Sequence, residues 1–170
     1  MTRTLLASAF LLFLSSCNSD KPGFPSTSSM AQKNLDASHI VIKAFDNGDI
    51  SGIDDAVASD FVDHTDTGDK NRDSLKAMIK IMHEENDNAK TEIIKELADN
   101  DYSFSLLRFT GTSKGKLRPA GHYDMRSVAV VRFKDGKAVE HWAYMEMGEM
   151  MKMMQGMDKK MGTDSSNMKK

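Results

Sequence analysis

Residues 127–142, SVAVVRFKDGKAVEHW, decide the fold of this 170-residue chain. Val128, Ala129, Val130 and Val131 form a run rich in β-branched side chains, which suit a pleated, half-buried surface. Lys134-Asp135-Gly136-Lys137 interrupts it, and Ala138-Val139-Glu140-His141-Trp142 resumes it. This is an antiparallel hairpin, because Gly136 supplies the positive φ that a tight turn needs. Two turns are compatible with the spacing: a two-residue loop at Asp135-Gly136, or a three-residue loop from Lys134 to Gly136 with a glycine bulge. A slip of one residue changes which side chains share a face, so the turn decides what the hairpin presents to the interior.

The N-terminus carries a different signal. Arg3 precedes a short apolar run from Leu5 to Leu14, which ends in Leu14-Ser15-Ser16-Cys17. Roughly ten apolar residues are too few to span a bilayer and suit the core of a secretory signal. The Leu-Ser-Ser-Cys end resembles the lipobox of bacterial lipoproteins, which implies that Cys17 is acylated and becomes the mature N-terminus. Cys17 is the single cysteine of the chain, so no intramolecular disulfide competes for it. The expected organisation is a leader over 1–16, a lipidated cysteine and flexible tether over 17–29, a folded domain over 30–147 and a methionine-rich tail over 148–170. Pro22, Gly23, Pro25 and several serines give the tether little to bury. Asn18 after the cysteine implies, on the enterobacterial sorting pattern, the outer membrane in a host that has one. The expected location is the cell envelope, with the membrane reached through the lipid on Cys17.

Composition bounds the partners. Without residues 1–16 the chain keeps 22 basic and 25 acidic side chains, a net charge of −3. No basic stripe is present, so nucleic acid is not an expected partner. The length suffices for one domain with a real core.

Along the domain, Leu35, Val41, Ile42 and Phe45 share one side of a helix from about Ser29 to Asp46, stopped at Asn47-Gly48. Ile50, Ile53 and Val57 indicate a short second helix, and Phe61 to His64 a short strand. Leu75, Met78, Ile79 and Met82 mark a third helix, with Asn71 or Asp73 as its cap and His83-Glu84-Glu85 as its solvated end. After Asn88 the period changes to that of strands: Thr91 to Ala98, Tyr102 to Thr110, Tyr123 to Phe133 and Lys137 to Met147. The expected class is α+β, three helices packed on a curved antiparallel sheet.

This order resembles the nuclear-transport-factor-2-like superfamily, and Arg132-Phe133-x-Asp135-Gly136-Lys137-x-Val139-Glu140-His141-Trp142 resembles the last hairpin of its SnoaL-like branch. The resemblance covers about residues 30–147. It implies a cone-shaped α+β barrel whose interior binds small, mostly apolar molecules, and dimers through the outer sheet face. It also favours the bulged turn, with Ser127, Ala129 and Val131 beside Val139, His141, Ala143 and Met145 on the pocket side, and Glu140, Trp142 and Tyr144 pointing outward. Polyketide cyclases of this branch place an acidic residue directly after the His-Trp pair. Here Ala143 stands there, and a methyl group moves no proton, so that assignment does not transfer.

Other residues can carry acid/base chemistry. His141 is a candidate base because an unperturbed imidazole titrates near pH ~6.5. Asp63 and His64, and His122, Tyr123 and Asp124, are further candidates for the cone mouth. The leading expectation is a binding domain for a small apolar or aromatic molecule without polyketide-cyclase chemistry. An isomerase, dehydratase or hydrolase built on His141 or on Asp63 and His64 is the alternative. No cofactor is expected, since zinc-ligand spacings, phosphate loops and nucleophile elbows are absent.

Nine of the 14 methionines lie between Met145 and Met168. Met147, Met150, Met154, Met157 and Met161 recur at helical spacing, which suits a packing helix. The competing reading is Cu(I) capture by Met145, Met147, Met150, Met151, Met153 and Met154, because soft thioethers suit that ion.

Overall fold

The computed structural model describes residues 28–148 and Met151. The expected leader, Cys17 and most of the methionine tail, including Met150, Met153 and Met154, lie outside the described residues. Element order is α1 (Ser29–Asn47), α2 (Ile53–Ala56), β1 (Val57–His64), α3 (Arg72–Glu85), β2 (Asn86–Ala98), β3 (Tyr102–Ser113), β4 (Gly121–Lys134) and β5 (Lys137–Met145). Among the described residues no helix is long and apolar enough to cross a membrane.

Local chemistry explains the helix ends. The Ser28 hydroxyl accepts from the Ala31 amide at 3.0 Å and opens α1. The Asn71 side chain accepts from the Ser74 amide at 2.9 Å and opens α3, a cap of about 1 kcal/mol. Gly48 closes α1 through its amide on the Ala44 carbonyl at 2.8 Å. The expected second helix stops at Ala56, because Val57 is already extended and begins β1.

The sheet runs in the order β1-β5-β4-β3-β2. β2 to β5 are joined antiparallel, but β1 lies parallel to β5, with Asp63 beside His141 and His64 beside Trp142. The sheet is therefore mixed and not wholly antiparallel as expected. The reason is topological: β5 is the last strand of the meander, and its free edge is taken by a strand made much earlier, with no hairpin to reverse its direction. β2 also begins five residues before its expected start. Asn88, at φ 53°, lies within a register shift between Asp87 and Lys90, and this masks the strand period over its first residues.

α1 packs against β2, β3 and β5, and α3 against β1 and β2, so the helices cover one sheet face. Ile53, Val57, Phe61, Leu75, Ile79 and Phe133 form the core there. Ile53 and Ile79 are wholly buried, and each contributes roughly 1.5–3 kcal/mol by area. Asn34, also wholly buried, donates to the Asp99 and Asn100 carbonyls at 3.1 and 2.9 Å, tying α1 to the β2–β3 turn.

The β4–β5 hairpin resolves the turn. Lys134 pairs with Lys137, and Asp135 and Gly136 both take positive φ, at 56° and 78°. The loop is the two-residue form, in which both central residues need that conformation. The bulge lies further on, where pairing shifts from Phe133–Ala138 to Arg132–Glu140 and leaves Val139 as the extra residue.

Glu85 corrects another expectation: at 2% exposure it is buried and not a solvated helix end. The β3–β4 loop folds over it. Its Oε1 accepts from the Ser113 hydroxyl at 3.3 Å and from the Lys116 amide. Burial alone would raise its pKa, but the Lys116, Leu117 and Gly115 amides and the Ser113 hydroxyl outweigh it and hold the carboxyl below its ordinary range. A depressed folded pKa gives stability that is complete above the ordinary carboxylate range and is lost as pH falls through the folded value. Glu85→Gln should therefore lower the melting temperature at neutral pH. It should also flatten the acid limb of a stability–pH curve, so a limb as steep as the parent's would refute the role of this carboxylate.

Candidate functional site

Between the helices and the concave sheet face lies a cavity of about 280 Å³. Ser127, Ala129 and Val131 of β4 line it, with Ala138, His141 and Ala143 of β5 and Asp63 of β1. Val41, Ile42 and Phe45 close it from α1. This is the apolar stripe legible in the sequence. Among the residues expected to face a ligand, Ala129, Val131, His141 and Ala143 are in the lining. Val139 and Met145 are not: Val139 is the bulged residue, and Ala138 lines the cavity instead. Met145 lies at the end of β5, paired with Ser127.

The bulge sets the parity of β5. Val131 pairs with His141 and Ala129 with Ala143, so both inward faces coincide. Because β1 is in register with β5, Asp63 lies beside His141. The His141 Nδ1 and the Asp63 Oδ1 are 2.7 Å apart, and the two side chains are 28% and 22% exposed. This contact gives the proton to Nδ1, with the carboxylate as acceptor, and leaves Nε2 as the free ring nitrogen. Among the described residues no protein group bonds Nε2. The arrangement is the base-plus-orienter geometry of acid/base sites, with the carboxylate fixing tautomer and ring direction.

His64 goes elsewhere. As the neighbour of Asp63 on a strand it takes the opposite face, where its ring stacks on Trp142 at 4.7 Å. Its Nδ1 lies 3.0 Å from the Asp69 Oδ1. His64 thus does not join His141 and Asp63 at the cavity. Asp124 also faces outward and pairs with Arg108 at 2.6 Å, while Tyr123 lines the cavity. His122 is exposed.

Tyr123 marks the far end. From Val131 to Tyr123 the strand runs about 26 Å at ~3.3 Å per residue. The Tyr123 ring lies against Gly111, where an added Cβ would sit 2.5 Å from the phenol oxygen, so only glycine admits this approach. The Arg118 guanidinium lies over the same ring, 4.2 Å from its centre, a contact of roughly 0.5–2 kcal/mol. Burial raises the Tyr123 pKa, Arg118 opposes this and Asp46 adds to it, so the phenol stays protonated. Sequence reasoning did not single out Arg118. The signal available was an arginine between Ser113 and Gly121 with no acidic residue in that segment.

Among the described residues no group of three or more His, Cys, Asp or Glu could hold a metal ion. Of the methionines considered for copper, Met147 and Met151 are 69% and 52% exposed.

A candidate SnoaL-like polyketide cyclase from Jannaschia sp. CCS1 superimposes with a TM-score of 0.64 at 14% identity, covering 76% of this chain and 96% of that one. A candidate polyketide cyclase from Bacillus cereus ATCC 10987 gives 0.60 at 24% identity, covering 73% and 79%. An LEH-like epoxide hydrolase from M. tuberculosis gives 0.59 at 16% identity, covering 75% and 93%. These likenesses establish the cone-shaped fold. A search of curated sequences returned no match. The family model described as SnoaL-like polyketide cyclase matches residues 36–154, more than half of the chain. By that match, the chain belongs to the SnoaL-like polyketide cyclase family.

Proposed function

We propose that the cavity binds a small, mostly apolar molecule and that His141, oriented by Asp63, moves a proton on it. The observation that carries this reading is the 2.7 Å contact between the two side chains at the cavity wall, which leaves one imidazole nitrogen free. The apolar walls hold the substrate, and the few polar groups orient it. Nε2 acts as general base on an acidic C–H and returns the proton elsewhere on the product. The acidic group that polyketide cyclases carry after the His-Trp pair is Ala143 here, so the reaction belongs to a different pair of residues than in those enzymes.

Solvent-deuterium exchange into 2-tetralone and related aryl ketones tests base catalysis without knowledge of the natural substrate. The parent protein should accelerate exchange, and His141→Asn should lower the rate at least about a hundredfold. Asp63→Asn should lower it as well, because an amide can hold the ring in the wrong tautomer. Ketone binding with exchange unaffected by either substitution would leave a binding protein and no catalyst.

The chain's first residues support envelope anchoring through Cys17. Replacing Cys17 with Ser should release the protein from the membrane fraction and remove the mass of the acyl groups. Unchanged fractionation and mass would sink that part of the proposal.

The outer sheet face supports self-association. Leu97, Phe104, Val130, Trp142 and His64 form one cross-strand row over all five strands, with Leu97 57% and Phe104 49% exposed. Tyr144 adds to it at 60% exposure. Aromatic side chains of this kind are enriched at interfaces. Sedimentation should show a dimer that Trp142→Glu dissociates, whereas a concentration-independent monomer of the parent protein would overturn the dimer.

A further inference from the structure

Among the described residues the Arg118 side chain has no oxygen partner, and its Nη1 and Nη2 reach the thioethers of Met125 and Met82, at 3.2 and 3.9 Å. Its Nε is buried and unbonded. Thioether sulfur is a weak acceptor, and buried guanidinium donors ordinarily find carboxylate or carbonyl oxygens. Burial holds the Arg118 pKa below its ordinary value, opposed by Tyr123 and Glu85, so desolvation of this charge is not fully offset by the protein.

The charged neighbours do not supply the missing partner. Glu85 attracts Arg118, but its Oε1 is occupied by Ser113 and Lys116, and its Oε2 has no hydrogen-bond partner among the described residues. Asp46, which lines the cavity, accepts from the Thr91 amide and hydroxyl at 3.1 and 2.7 Å. Lys90, an exposed lining residue, adds positive charge on the same side. Of the residues against Arg118, Met82 and Tyr123 line the cavity, while Met125 and Arg118 itself lie just outside its lining, and the Tyr123 hydroxyl has no hydrogen-bond partner among the described residues.

We propose that Arg118 and the Tyr123 hydroxyl form an anion-recognition site at the end of the cavity remote from His141, so that the ligand is an apolar molecule carrying a carboxylate or similar anion. This rests on the reading of the cavity as a small-molecule site. The guanidinium supplies a planar fork of donors and the phenol a single one, a combination suited to two oxygens of one anionic group. Binding the anion there leaves the apolar body along the walls of β4 and brings its far end toward His141. The site thus fixes which end of the molecule meets the base.

Two fluorescent probes of similar shape separate the charge from the apolar body: anilinonaphthalene sulfonate, an anion, and N-phenylnaphthylamine, which is neutral. Arg118→Met should weaken the sulfonate at least about tenfold and leave the neutral probe nearly unchanged, since a lost charged hydrogen bond commonly costs that much. Equal weakening of both probes would assign Arg118 a structural role, and no change in either would remove it from the site. Failure of the parent protein to bind either probe would overturn the cavity reading itself. Should the variant not fold, competition on the parent decides: decanoate should displace the neutral probe more strongly than decanamide, and equal displacement overturns the proposal.

Discussion

The extra residue at Val139 is the constraint on which the site depends. A two-residue turn at Asp135-Gly136, continued without interruption, would pair Val131 with Glu140 and turn His141 toward the outer face. The bulge adds one residue to β5, so Val131 meets His141 and Ala129 meets Ala143. β1 then docks in register on the corrected strand and brings Asp63 to His141. A single unpaired residue thereby places an imidazole and a carboxylate, 78 positions apart in the chain, at one point of the cavity. The same shift sends Glu140 and Trp142 outward, where Glu140 pairs with Arg132 and Trp142 stacks on His64.

Much of this was legible in the sequence. The helical stripes of α1 and α3 and the hairpin were visible, and the cap of α3 was narrowed to Asn71 or Asp73, because each depends on periodicity or capping within a few residues. The inward parity of His141 and Ala143 was legible only through family resemblance, since the turn alone admitted either register. What could not be read were the long-range choices. Asp63 and His64 are adjacent in sequence and look equivalent, yet pleating sends one to the cavity and the other to the outer face. Glu85 reads as a solvated helix end because nothing local announces that the loop 114–118 will supply it with amide donors. The parallel docking of β1 likewise leaves no local mark, as it depends on which sheet edge remains open.

The cavity separates its chemistry by distance. His141 and Asp63 stand at the end near the hairpin, and Tyr123, with Arg118 over its ring, at the end near the β3–β4 loop, with Ala129 and Ala143 between them. Small side chains at facing positions leave room where larger ones would fill the cone. This explains why the alanine that removes the cyclase-type acid need not remove function. It widens the cavity, and His141, the group proposed to move a proton, lies on the preceding inward residue of the same strand.

Burial sets the roles of the polar groups that remain. Asp63 is needed beside His141 because a lone imidazole on a strand can rotate and change tautomer, whereas an accepted Nδ1 proton fixes both. Tyr123 stays neutral because an apolar surround and Asp46 disfavour its anion, so it can only donate to a bound acceptor or receive weakly. Arg118 keeps its charge in a partly desolvated place by lying on the Tyr123 ring, whose phenol end in turn lies against Gly111. Glycine, phenol and guanidinium therefore form a stack in which each layer positions the next. A side chain at residue 111 would displace the phenol first and the cation with it, while the register that pairs Gly111 with Tyr123 could stay in place.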